Sequence, residues 1–181
     1  MSRTALIEHL RTHGLRLDGP FTLRSGEISD WYLDARQTTF DGHGARLAGA
    51  AVLEVLNAEV EAVGGMTMGA DPIAIATALV ASERGRPLRA FSIRKSEKSH
   101  GVGGRLVGPV VSGDRVAILE DTTTTGSAAA EATDIAESAG LIVSQAIALV
   151  DRSNGVARQR FADRGIDHVA LVEPADLGVA L

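Results

Sequence analysis

The residues best suited to chemistry lie between Val116 and Ala128, which read ValAlaIleLeuGluAspThrThrThrThrGlySerAla. An apolar run ends in two adjacent acids, passes through four threonines and a glycine, and enters an alanine-rich stretch. The hydroxyls and successive amides of Thr122, Thr123, Thr124 and Thr125 are anion donors, and Gly126 lets the main chain come close. A helix opening at Ser127 and Ala128 would aim its positive end at the turn. That is the chemistry of a phosphate cradle. Glu120 and Asp121 cannot bind the same phosphate, because like charges repel, but they suit sugar hydroxyls or a metal-bound water beside it. Cradle and acid pair together describe a ribose 5-phosphate. The same residues also suit a plain polar turn with a helix cap, for which Thr and Asp are preferred.

A second group is cationic. Arg94, Lys95, Lys98, His100 and Arg105 concentrate positive charge in a chain of net charge −5. Such a group matches a leaving group that gains negative charge as its bond breaks. Gly101, Gly103 and Gly104 supply the freedom a closing loop needs, and closure would keep water from a reacting centre. Taken alone, these residues also describe a solvated charged loop with an ordinary surface histidine. No GxxxxGK[ST] pattern occurs, which removes the nucleoside-triphosphate loop. GlyValGlyGly at 101–104 does not open a helix after a strand and so does not support a dinucleotide fold.

The elements that must position these groups follow from hydrophobic spacing. Thr4 to His13 reads as a helix stopped by Gly14, and Phe21 to Leu23 and Trp31 to Leu33 as extended pieces around a turn. Ala45 to Ala58 is a helix, Ala62 to Met68 a strand, and Ile73 to Ser82 a helix started by Asp71 and Pro72. Leu88 to Ile93 and Arg115 to Leu119 are strands, Ser127 to Ser138 a helix, and Ile142 to Val150 and His168 to Val172 strands. Strands alternating with helices imply parallel pairing through right-handed crossovers, hence an α/β layered domain with about five or six strands. Ligands in such sheets bind beyond the carboxyl ends of the strands.

Length and composition bound the rest. The 181 residues suit one domain over 1–181, and 45% hydrophobic residues provide for a core. The acidic balance argues against a general nucleic-acid or anionic-membrane binder. With no cysteine, disulfides, thiolate nucleophiles and cysteine-ligated zinc are excluded. No apolar run approaches the ~18 residues of a membrane span, and Glu8, His9 and Arg11 interrupt the N-terminus where a secretory signal would be apolar. A cytoplasmic protein is expected. The last ~25 residues, Glu173 to Leu177 included, carry no functional signal.

The Val116–Ala128 segment resembles the phosphoribosyl pyrophosphate (PRPP) loop of the type I phosphoribosyltransferases, with Glu120 in place of the usual first Asp. Arg94 to Gly104, ArgLysSerGluLysSerHisGlyValGlyGly, is similar to the catalytic loop of the orotate phosphoribosyltransferases within that family. PheThrLeuArgSerGly at 21–26 resembles their N-terminal hood, and ValAspArg at 150–152 their pyrimidine-site arginine. The resemblance implies a parallel sheet flanked by helices, with a small hood from about residues 1–40 and part of the C-terminus. It implies transfer of the phosphoribosyl group from PRPP to orotate with Mg²⁺, giving orotidine 5-monophosphate and pyrophosphate in pyrimidine synthesis.

By the same resemblance Lys98, His100 and Asp121 are the catalytic residues. PRPP would be held by Arg94, Lys95, Lys98, His100, Glu120, Asp121, Thr122, Thr123, Thr124, Thr125, Gly126, Ser127 and Ala128. Orotate would be held by Arg24, Tyr32, Leu33, Thr124 and Arg152; core packing serves equally for Trp31 and Tyr32. Arg24 stands where many members have Lys. The Gly69 to Ala74 loop lacks the basic residue common in the family, leaving Mg²⁺, carried mainly by PRPP and water near Asp71, Glu120 and Asp121, to meet the pyrophosphate charge. Asp71 reads equally as a helix cap. A homodimer sharing the 94–109 loop across subunits is implied as well. The alternatives are a salvage enzyme for another base and a PRPP-binding regulator without catalysis.

Overall fold

The computed structural model describes residues 2–22, 28–96 and 104–180. Helix α1 (Ser2–His13) is followed by short strands β1 (Leu15–Arg16), β2 (Phe21–Thr22), β3 (Ile28–Ser29) and β4 (Tyr32–Leu33). Then come helices α2 (Arg36–Thr39) and α3 (Gly42–Val55), strand β5 (Ala62–Met66), helix α4 (Ala70–Glu83), and strands β6 (Arg89–Ile93), β7 (Leu106–Val107) and β8 (Arg115–Thr123). Helix α5 (Ser127–Ser138), strand β9 (Ile142–Asp151), helix α6 (Val156–Ala162), strand β10 (Asp167–Val172) and a 3-10 turn (Pro174–Leu177) complete the order.

Six strands form the main sheet in the order β10-β9-β8-β5-β6-β7, all parallel except β7, which runs antiparallel to β6. Both faces of a parallel sheet must be covered, so its strands carry apolar side chains on both sides. In β8, Ala117 and Leu119 join the cluster that includes Val52 of α3 and Ile73 of α4, while Val116 and Ile118 join Ala132 of α5 and Phe161 of α6 on the other face. The chain leaves β5 toward β6 on one side and returns through β8 on the other. The crevice at the carboxyl ends of β5 and β8 is therefore the topological switch point, where open α/β sheets take their ligands.

The N-terminal elements form a cap beside that crevice. Leu6 and Leu10 of α1 are fully buried, β1 pairs with β4 and β2 with β3, both antiparallel. Arg3 of α1 reaches Asp176 of the C-terminal turn at 2.6 Å.

Several boundaries differ from expectation for identifiable reasons. Strand β8 runs past Leu119 because its ladder with β9 continues to the pairing of Thr123 with Asp151. Helix α3 starts at Gly42 instead of Ala45, since the Asp41 side chain caps it by accepting from the Gly44 amide at 2.9 Å. It stops at Val55, short of Ala58. Helix α4 starts at Ala70, earlier than Ile73, and Asp71 is not its cap: the cap position is Gly69, with no side-chain bond. Helices α2 and α6 and strand β7 lie in stretches read as connections.

Gln145, 1% exposed, ties three elements together. Its Oε1 accepts from the Asn57 amide at 3.0 Å, and its Nε2 donates to the Val55 carbonyl at 3.0 Å and to Asp167 at 3.2 Å. Gln145→Leu strands buried polar groups without partners, so urea unfolding should register a loss of about 2–4 kcal/mol, against near zero if the amide were dispensable.

Candidate functional site

At the switch point the end of β8 faces the start of α4 across a cleft of about 260 Å³, walled by Met66 to Ala70, Leu119 to Asp121, Ala128 and Ala129, with Arg36 and Lys95 at its sides. A wider groove of about 440 Å³ lies along α3 and α4, lined largely by apolar side chains such as Ile75 and Leu79. Apolar walls give a phosphate nothing to bind, so width does not identify the site here.

Neighbouring residues in a strand project to opposite faces, and Glu120 and Asp121 reach the cleft from opposite sides of β8. Asp121 lies against Gly69: a Cβ there would come within 2.5 Å of its Oδ1. A Cβ at 69 would therefore oblige the Asp121 carboxylate to shift. Burial raises the Asp121 carboxyl above its ordinary range, against the pull of the Thr122 amide, which donates to its Oδ1 at 2.8 Å. Glu120 is raised further, to about 7, by burial, with the charges of Asp121 and Asp151 adding to it and the hydroxyl of Thr123 opposing.

The turn after β8 divides its threonines. Thr123 is buried and its hydroxyl donates to Glu120, so this one is not a free anion donor. Thr124, Thr125 and Ser127, the last two joined by a 2.8 Å hydroxyl contact, are exposed in the turn between β8 and α5 and are not among the residues that wall the cleft. Gly126, at φ 72, is the left-handed residue from which α5 starts. A Cβ on it would meet Ala157 of α6 at 3.1 Å, and Arg160 of α6 donates to the Thr125 carbonyl at 3.1 Å. Helix α6 thus buttresses the turn from outside.

The expected cations are distributed unevenly. Lys95 lines the cleft. Arg94 lies at the root of the β6–β7 hairpin, its amide donating to the Arg105 carbonyl at 2.8 Å. Arg105 is not a loop cation facing the cleft: it donates to the Arg94 carbonyl at 2.7 Å and pairs with Glu131 of α5 at 2.6 Å. Lys98, His100 and Arg24 lie outside the described residues.

On the base side, the Arg152 amide donates to the Thr123 carbonyl at 2.7 Å, which seats Arg152 at the same sheet edge as the acid pair. Tyr32 is exposed beside Phe21, whereas Leu33 is only 5% exposed and packs into the core with Trp31. Asp71 accepts from the Thr67 hydroxyl at 2.6 Å while its Oδ1 is buried without a partner among the described residues.

Arg36 and Thr67 at the cleft and Arg160 behind the turn carry no motif in the sequence. Arg36 was legible only as a charge near Asp34, which it contacts at 2.8 Å; no local pattern marks Thr67 or Arg160.

No protein-family model matches the chain. The chain is similar to the orotate phosphoribosyltransferase of Streptomyces avermitilis, 38% identical over 178 residues that cover 98% of this chain and 97% of that one. Its fold is similar to that of the Mycobacterium tuberculosis orotate phosphoribosyltransferase in complex with Fe(III) dicitrate, at a TM-score of 0.87 and 35% identity, over 99% of this chain and 100% of that one. For the same enzyme in complex with PRPP the TM-score is 0.82 at 32% identity, again over 99% and 100%.

The buried acid pair makes stability depend on pH. A carboxyl whose folded pKa is raised costs nothing below its unfolded value of 4.5 and destabilises increasingly as pH climbs through about 7. Glu120→Gln, which still offers Thr123 an acceptor, should stabilise the fold at pH 8 by on the order of 3 kcal/mol, fading toward zero near pH 4. Urea titrations at both pH values measure this, and equal gains at both would refute the cause.

Proposed function

The chain belongs to the orotate phosphoribosyltransferase family and transfers the 5-phosphoribosyl group of PRPP to orotate, and we propose a division of that work among its residues. The observation that carries the proposal is that Glu120 and Asp121 wall the switch-point cleft together with Ala128 and Ala129 in the first turn of α5, the helix into which the Thr-rich turn leads. The ribose diol takes Glu120 and Asp121, which suit hydroxyl donors because burial disfavours their bare charge. The 5-phosphate takes the amides and free hydroxyls of Thr124 to Ala128 at the start of α5. Arg152 offers its planar fork to the orotate carboxylate or ring oxygens, beside Tyr32 and Thr124.

The orotate nitrogen attacks the anomeric carbon as the bond to pyrophosphate breaks, so negative charge grows on the departing group. Lys95, Lys98 and His100 meet that charge, with Arg94 at the root of their loop, and no covalent protein nucleophile is involved. Among the described residues no group of three or more acidic or histidine side chains could hold a metal ion alone. The unpartnered Asp71 Oδ1 and the cleft acids nevertheless fit a Mg²⁺ that arrives on PRPP and is held through water. The ion would supply charge neutralisation of the pyrophosphate.

A homodimer belongs to the same reading. Phe40, Ile75 and Leu79 are 60%, 56% and 61% exposed along the groove between α3 and α4. An apolar strip of this kind suits a second copy, which would lend its 94–109 loop to the neighbouring cleft. Among the described residues no helix is long and apolar enough to cross a membrane; a cytoplasmic setting is our assignment.

Purified protein should consume orotate only when PRPP and Mg²⁺ are both present, and chelation with EDTA should stop it. Lys98→Ala and His100→Ala should each lower kcat by roughly 10²-fold with unchanged melting temperature; equal loss of stability would make the loop structural. In sedimentation, Leu79→Glu should shift the protein to monomer and reduce turnover, whereas an unchanged dimer would place the interface elsewhere.

A further inference from the structure

One side chain joins the base-side arginine to the end of the chain. The Arg152 guanidinium carbon lies 3.8 Å from the centre of the Trp31 ring, and among the described residues it has no carboxylate partner. Trp31 is 6% exposed. Its indole Nε1–H donates to the Ala180 carbonyl at 2.7 Å, and its own carbonyl accepts from the Ser29 hydroxyl at 2.8 Å. The tail that supplies Ala180 is itself anchored. Leu177 is 1% exposed, Gly178 turns the chain at φ 77, and Arg3 holds both Asp176 at 2.6 Å and the Leu171 carbonyl at 2.7 Å.

A guanidinium has two faces and an edge, and they do different work. The ring occupies a face, where a flat cation is attracted by the π-electrons. All five N–H donors point outward in the plane, so stacking leaves the edge open to a planar carboxylate. Stacking also replaces part of the hydration that burial removes from Arg152, whose pKa burial lowers. The arginine's plane is then set before any ligand arrives, and the freedom lost on binding is smaller. The indole can fix that plane only if it cannot turn, and the Ala180 carbonyl prevents turning.

We propose that Trp31 is a positioning residue for base recognition: pinned by the Ala180 carbonyl, it presets the Arg152 guanidinium so that its edge meets the orotate carboxylate, and the C-terminal tail thereby contributes to base affinity. The inference rests on the reading of Arg152 as an orotate contact.

Steady-state kinetics with both substrates varied, together with emission from Trp31, the chain's one tryptophan, tests it. Trp31→Leu should raise the orotate KM by about 3- to 30-fold while kcat and the PRPP KM stay within about twofold. Trp31→Phe keeps a ring face and should recover part of that loss. Truncation after Val179 removes the acceptor and should raise the orotate KM by about 2- to 10-fold and shift Trp31 emission. Arg152→Ala alone tests the underlying reading: a large rise in orotate KM supports it, and no rise overturns both that reading and the inference. With the arginine's role established, Trp31→Leu acting as strongly in the Arg152→Ala background as in the parent overturns the coupling. So does an unchanged orotate KM in Trp31→Leu, or equal loss in kcat and both KM values. Should Trp31→Leu not fold, Trp31→Phe and the truncation decide the matter by the same split between the two KM values.

Discussion

Two carboxyls at the end of one buried strand are the constraint on which the rest of the site depends. Glu120 and Asp121 are adjacent in β8 and both raised by burial, so when ionised they carry an electrostatic cost that hydrogen-bond donors or a cation relieve. The surroundings relieve it in part: the Thr123 hydroxyl attends to Glu120 and the Thr122 amide to Asp121. What remains is an acceptor surface for a diol. Such a surface survives at the carboxyl edge of a parallel sheet because the apolar clusters on both faces hold β8 in register regardless of what its last residues prefer.

The same edge explains why an acidic chain can take a polyanionic substrate. Among the residues walling the cleft the acids are Glu120 and Asp121 at the strand end, and the cations arrive from other elements, Arg36 from the cap and Lys95 from the root of the β6–β7 hairpin. Arg105 contributes differently, clasping Glu131 and the Arg94 carbonyl and so fixing where that hairpin leaves the sheet. Opposite charges kept on separate elements can approach a ligand from two sides without neutralising one another first, which a single mixed-charge loop could not do.

Local spacing carried much of this. The α5 limits, the strand–turn–helix order around Gly126 and the parallel alternation follow from period and turn chemistry over a dozen residues. Where the sequence reading stopped short, a distant partner had intervened. Glu120 and Asp121 are residue types depleted in strands, yet pairing with β9 keeps β8 extended through them to Thr123. Asp71 looks like a cap, but Thr67 takes its carboxylate and Gly69 takes the cap position. Gln145 reaches Val55, 90 positions away, and Arg160 reaches Thr125, 35 away. No window of sequence contains both ends of such contacts.

The departure at Gly69 to Ala74 can be read in these terms. A basic side chain at position 69 would stand against Asp121, whose carboxylate already lies within 2.5 Å of where a Cβ would be. A salt bridge formed there would draw Asp121 away from its amide partner and toward the loop, occupying the acceptor that a sugar hydroxyl needs. Placing the cleft's cations on α2 and beyond β6 avoids that contact. Arg36 is held by Asp34 at 2.8 Å, not by Asp121, so the acid pair stays available while positive charge remains within reach of the cleft. A loop without a lysine at position 69 is therefore compatible with this site because Asp121 sits so close to that glycine.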